Sequence, residues 1–212
     1  MLIHQQVLVG PHALAGDLVV PRAAHGLVVF AHGSGRLSPR DRSVAEMLQA
    51  RRLGTLLFDL LSETEGRDRA NVFDIGLLAN RLLQAMSWLR ERRDLNGLRV
   101  GLFGASTGAA AALVAAAERP HEVSAIVSRG GRPDLAGPAL AQVRAPTLLL
   151  VGALDAEVLA LNREAARQLT CEKRLEVVPR ATHLFEEAGA LKRVANSAGD
   201  WLLQHLSASG AR

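Results

Sequence analysis

Short apolar runs alternate along this chain with longer stretches in which apolar residues recur every three or four positions. Residues 7–9 and 17–20 are β-prone and flank Gly10-Pro11, which predicts an antiparallel opening pair. Residues 27–31 form a continuous apolar run that stops at His32-Gly33-Ser34-Gly35, the pattern of a strand buried on both faces and ending in a loop. Ser38-Pro39 then opens a helix, with Ser38 as N-cap, an apolar face of Val44, Met47 and Leu48, and Gly54 as its stop. A strand over 55–58 follows, then a polar surface loop over 62–72. The next helix spans 73–93 and carries Ile75, Leu78, Leu82, Met86 and Leu89 at helical spacing.

The second half repeats the alternation. Asn96-Gly97 marks a turn into a strand over 99–103, followed by an alanine-rich helix over Thr107–Glu118. Strands are predicted over 123–127, 146–151 and 174–178, a helix over 157–169, and a closing helix over 185–206. Strands that alternate with helices, with no linker-like stretch between, imply one α/β domain over residues 1–212. The expected fold is a mostly parallel sheet with helices on both faces and no large lid, since too few residues separate Val127 from Pro146.

Composition narrows the function. Apolar residues make up 49% of the 212, which excludes a disordered chain, while aromatics are 3% and tyrosine is absent, so the core falls to Leu, Val and Ala. The single cysteine, Cys171, excludes an intramolecular disulfide and a cysteine-based zinc cluster. The net charge is +4, but the arginines are scattered and interleaved with acids, which argues against nucleic acid as a partner. The opening residues lack a cationic segment followed by a sustained apolar one, and no apolar run is long enough to cross a bilayer. A cytoplasmic protein acting on a small molecule, with no membrane partner, is expected.

The sharpest chemical feature is Gly104-Ala105-Ser106-Thr107-Gly108, set between a predicted strand and a predicted helix. A tight strand-to-helix turn holds such a serine in a strained conformation with its hydroxyl free above the sheet. The helix start beside it offers amide donors to a developing oxyanion. Serine is a poor nucleophile until an oriented base takes its proton. In chain order an acid and then a histidine should follow, each after a later strand. Asp155 follows the strand over 146–151, and His183 follows the one over 174–178. Ser106 as nucleophile, His183 as base and Asp155 as supporting acid is the arrangement expected, with Asp134 competing for the acid role. Backbone N–H groups of Ser34 and Thr107 are the expected oxyanion donors, and His32 is expected to brace its loop rather than move a proton. This chemistry calls for no metal and no organic cofactor.

These segments carry a resemblance. AHGSG (31–35), LLFDLL (56–61), GLFGASTG (101–108), SRGGRPDLAG (128–137), LLLVGALD (148–155) and VPRATHLFEE (178–187) together resemble the α/β-hydrolase superfamily, and within it dienelactone hydrolase-related proteins. The last three segments resemble a bacterial branch sometimes fused to a phosphoribosyltransferase-like domain, which is not expected within these residues. Dienelactone hydrolases proper use cysteine as nucleophile, whereas this elbow carries Ser106; Cys171 lies away from every predicted catalytic loop. Carrying over dienelactone as the substrate is therefore unjustified, while the short span between Val127 and Pro146 implies an open, shallow site that favours small soluble esters over long-chain lipids.

Arg129 and Arg132 stand at the end of a strand bordering the expected crevice and could clamp a carboxylate or phosphate, so an anionic substrate is one option. Two rival readings stand beside the esterase. One is a non-catalytic module of the same fold that binds a ligand or partner. The other is a nucleotide- or anion-binding protein, which the absence of lysine from the Gly-rich loops disfavours.

Overall fold

The computed structural model describes residues 2–32 and 38–207. Eight strands form one sheet in the order β1-β2-β4-β3-β5-β6-β7-β8. They are β1 (Ile3–Val9), β2 (Leu14–Val20), β3 (Leu27–His32), β4 (Gly54–Phe58), β5 (Val100–Ala105), β6 (Val123–Arg129), β7 (Thr147–Gly152) and β8 (Lys173–Val178). β1 and β2 pair antiparallel, β2 pairs antiparallel with β4, and the pairings from β4 through β8 are parallel. The single-domain α/β fold expected from the residue pattern is the fold observed.

Alternation along the strands feeds two cores. Leu27, Val29 and Ala31 of β3 point to one face and Val28 and Phe30 to the other. The first face is covered by α3 (Ile75–Glu91), α4 (Thr107–Glu118) and α5 (Ala156–Gln168), through residues such as Leu78, Leu82, Leu113 and Ala165. The second is covered by α1 (Pro39–Ala50) and α6 (Ala190–Leu206), through Val44, Leu48, Val194 and Trp201. Alanines dominate α4 because it is buried between α3 and the sheet, where larger side chains would hold the backbones apart.

Several element boundaries differ from expectation, each for a local reason. α1 ends at Ala50 with Arg51 as its C-cap and Arg52 at φ 58°, and Gly54 is instead the first residue of β4. The polar stretch expected as a loop holds a 3₁₀ turn at Glu65–Arg67 and a short helix, α2 (Arg69–Phe73), whose start is capped by Asp68 accepting from the Ala70 N–H at 2.9 Å. α3 begins only at Ile75 because Asp74 caps it, accepting from the Leu77 N–H at 2.9 Å. A 3₁₀ stretch over Pro133–Gln142, broken at Gly137, was not anticipated. The closing helix starts at Ala190 rather than at 185, because Phe185 adopts φ 55° with its ring buried and residues 179–189 form a separate loop.

The sheet positions the site. Chain order reverses at β3, which has β4 on one side and β5 on the other, and crevices in parallel sheets open beyond the carboxyl ends of strands at such a point. His32 ends β3, and Ser106 directly follows β5.

Candidate active site

Ser106 joins β5 to α4 at φ 52° and ψ −126°, a conformation costly for a residue with a Cβ. Its neighbours make the turn possible. A Cβ on Gly104 would lie 2.4 Å from Ala109 Cα, and one on Gly108 would lie 2.1 Å from the Ala31 carbonyl oxygen. Glycine at both positions lets α4 descend onto β3 and β5 immediately after the serine. The Ser106 carbonyl accepts from the N–H groups of Ala109 (3.1 Å) and Arg132 (3.0 Å), which fixes the turn from two sides. Thr107 is the first residue of α4, so its N–H belongs to the positive end of that helix. Ser34, the other expected oxyanion donor, lies outside the described residues.

His183 and Asp155 arrive from different strands. Asp155 follows β7 at the N-cap position of α5, makes no side-chain cap there, and stands with its Oδ2 2.6 Å from Nδ1 of His183. With Nδ1 protonated and donating to Asp155, Nε2 is the ring atom left to accept a proton. The histidine loop is clamped by Glu187, whose Oε1 accepts from the Thr182 N–H (3.0 Å) and hydroxyl (2.6 Å). Gly130, at φ 49°, passes beneath it; a Cβ there would lie 3.1 Å from the His183 carbonyl oxygen. Asp134 is not at the histidine: it takes both Nε and Nη2 of Arg132, at 2.9 and 2.7 Å.

Ser106 and His183 line one cavity of about 280 Å³, together with Arg129. Among the described residues no hydrogen bond joins the serine hydroxyl to the histidine, a contact that in hydrolases commonly tightens only around substrate. The two arginines singled out in the sequence part company. Arg132 is not among the residues lining the cavity, and its role at the elbow is carried by its backbone N–H. Arg129 does line it, buried, with Nη2 3.0 Å from Asp41 Oδ1 and its guanidinium 5.9 Å from the Phe103 ring centre.

Residues that sequence reasoning passed over share the lining among the described residues. Asp41 belongs to a capping box with Ser38, accepting the serine hydroxyl at 2.6 Å while Asp41 N–H donates to the Ser38 hydroxyl at 3.2 Å. That local motif was legible in Ser38-x-x-Asp41; the distant partner Arg129 was not. Arg40, Val72 and Leu184 also reach the cavity, and Arg40 pairs with Glu186 at 2.7 Å. His32 donates from Nε2 to the Phe58 carbonyl at 3.0 Å, and burial lowers its pKa despite the attraction of Asp41 and Asp59. A buried, uncharged imidazole tied to β4 braces the strand end. Cys171 is half-buried near the Thr147 hydroxyl (3.7 Å), and burial pushes its thiol pKa up. Among the described residues there is no cluster suited to a metal ion and no helix long and apolar enough to cross a membrane.

A crystal structure of a dienelactone hydrolase from Anabaena variabilis ATCC 29413 superimposes with a TM-score of 0.91 at 54% sequence identity, covering 97% of this chain and 98% of that one. The chain belongs to the dienelactone hydrolase family. Two Mycobacterium tuberculosis proteins bearing a phosphoribosyl transferase name are 56% identical over 207 residues, covering 97% of this chain and 47% of theirs. The chain thus spans about half the length of those relatives. A carboxyl esterase from Tuber melanosporum shares the fold at a TM-score of 0.76 and 15% identity, covering 97% of this chain and 88% of that one. No family model matches the sequence. Within the dienelactone hydrolase family, this member carries serine at the elbow, and its one cysteine lies far along the chain, just ahead of β8.

Proposed function

We propose that this protein is a serine hydrolase of small ester-type substrates, working through an acyl-enzyme. The observation that carries the reading is the Asp155–His183 contact of 2.6 Å beside a strained Ser106 in one cavity. In this scheme His183 Nε2 takes the proton of the Ser106 hydroxyl as its oxygen attacks the carbonyl carbon. Asp155 holds the tautomer and stabilises the imidazolium that forms. The tetrahedral oxyanion is received by the Thr107 N–H at the head of α4, with Ser34 proposed as the second donor. His183 then passes its proton to the departing alcohol, and water, activated by the same histidine, releases the acid. Preorganised oxyanion donors of this kind are worth about 3–4 kcal/mol of barrier each. A reducing compartment such as the cytoplasm suits a chain whose one cysteine is a free thiol.

The second reading is a non-catalytic binding module of this fold, and the missing Ser106–His183 hydrogen bond is the observation in its favour. Fluorophosphonate labelling separates the two. An activated serine labels in the wild type and not in Ser106→Ala, and p-nitrophenyl butyrate hydrolysis disappears with it. A folded wild type that neither labels nor hydrolyses short esters makes the binding module the better account.

A further inference from the structure

Asn162 stands where an apolar residue would be expected. It shares the buried face of α5 with Leu159 and Ala165, and it is fully buried. A buried amide is costly unless it is hydrogen-bonded. Its Nδ2 donates to two carbonyls, those of Gly131 at 2.9 Å and Val158 at 2.8 Å. Both partners are acceptors, so only the NH₂ end of the amide can face them. The Val158 bond is local, one turn back along the same helix. The Gly131 bond crosses to a different element, 31 residues earlier in the chain.

What Gly131 carries gives that bond its consequence. It lies in the turn after β6, so close to its neighbours that a Cβ on it would collide with Ser128 Oγ and Ala109 Cβ. On one side of it, Gly130 N–H donates to the Leu150 carbonyl at 2.8 Å and ties the turn to β7. On the other, Arg132 N–H donates to the Ser106 carbonyl at 3.0 Å. That carbonyl also accepts from Ala109, but Ala109 belongs to the helix that the elbow itself begins, whereas Arg132 reaches it from outside. Ser106 keeps φ 52° only while its surroundings hold it there, because a residue with a Cβ relaxes out of that region when released. A line of contacts therefore runs from Asn162 through Gly131 and Arg132 to the backbone of the nucleophile. The same helix has Asp155, the partner of His183, at its N-cap position, about two turns before Asn162.

We propose that Asn162 is a positioning residue for the reaction: by holding the Gly131 carbonyl it keeps Arg132 N–H on Ser106, and so sets the nucleophile in register with the His183–Asp155 pair. The inference rests on the serine-hydrolase reading and adds to it a residue that does not line the cavity.

The test compares variants on p-nitrophenyl butyrate. Asn162→Ser keeps a hydroxyl that can bond back to Val158 but is too short to reach Gly131, and Asn162→Leu fills the space with no donor. Each should lower kcat by about 10- to 100-fold with KM little changed, the scale of a reacting atom displaced by up to about 1 Å. The pH midpoint of kcat/KM should stay at the wild-type value, since His183 and Asp155 keep their contact. Hydrogen exchange at the Arg132 amide, followed by NMR, should quicken in both variants. Leu159→Ala, on the same buried face, separates positioning from stability: its urea midpoint should fall at least as far as that of Asn162→Ser while kcat holds. Asn162→Ser, the milder change, reports even where Asn162→Leu fails to fold. In the wild type itself, an Arg132 amide that exchanges as fast as exposed loop amides overturns the proposal without any variant. Folded Asn162 variants that keep the wild-type kcat, or lose it only as far as Leu159→Ala does, overturn the positioning role and leave the hydrolase standing. A wild type that takes no fluorophosphonate label and turns over no ester overturns both.

Discussion

Asp155 and His183 are 28 residues apart in the chain and 2.6 Å apart in space. The contact joins the ends of β7 and β8, neighbouring parallel strands that place their following loops side by side. A carboxylate there accepts from Nδ1–H and leaves Nε2 directed to other partners.

That relationship makes the first prediction. Asp155→Asn replaces an acceptor with a group that can present N–H to Nδ1, favouring the wrong tautomer. The expected loss in kcat is about 10⁴-fold with little change in KM, the pattern of a group that acts in the transition state. Asp134→Asn, by contrast, disturbs only the Arg132 pair and should leave the tautomer untouched. Steady-state kinetics of the two variants on one ester decide between the acids; a comparable collapse in Asp134→Asn sinks the Asp155 assignment.

Gly108 predicts the mechanical limit of the elbow. A Cβ there would meet the Ala31 carbonyl at 2.1 Å, and that atom belongs to β3, which cannot give way without disturbing its ladders to β4 and β5. Gly108→Ala should cost about 1–3 kcal/mol of stability, as overpacking does, and should reduce fluorophosphonate labelling by displacing Ser106. Urea denaturation with labelling of the folded variant measures both. Wild-type stability and labelling together would show that α4 does not sit this close.

His32 predicts a pH dependence of stability. The unfolded imidazole takes up its proton near 6.5, whereas burial keeps the folded one neutral to lower pH, with Asp41 and Asp59 only partly offsetting the effect. Below 6.5 the unfolded chain therefore binds more protons. The stability contributed is full above that value and is lost as pH falls from 6.5 toward the folded pKa. Replacing His32 with Gln removes the titration, so urea midpoints between about pH 7.5 and pH 5 should fall less steeply than in the wild type. Parallel slopes for the two proteins would rule out this histidine as a source of acid sensitivity.

Cys171 predicts chemical silence. Its half-buried thiol has a pKa raised by burial, so little thiolate forms at neutral pH. Iodoacetamide should modify it slowly, and Cys171→Ala should hydrolyse esters at the wild-type rate. Loss of activity on alkylation that Cys171→Ala abolishes would instead place this sulfur in the reaction.

The residue pattern alone determined the architecture, the elbow and the order of the three catalytic candidates. The reason is that each is local: strand and helix periods are written in neighbouring residues, and Gly104-x-Ser106-x-Gly108 describes one turn. It also placed Ser38 as the cap of α1, because a cap bonds within three residues. Helix starts at Ile75 and Ala190 were less legible, since a capping aspartate and a clamped loop outweighed an apolar rhythm that runs on through Phe73 and Phe185. Only the tertiary structure could bring the favoured Asp155, and not Asp134, against His183, seat Arg129 on Asp41, and send Arg132 away from the cavity. The first two join groups across strands or loops, decided by which ends the sheet brings together, and in an arginine-rich chain the sequence offers many partners for every acid while the fold brings only a few within reach.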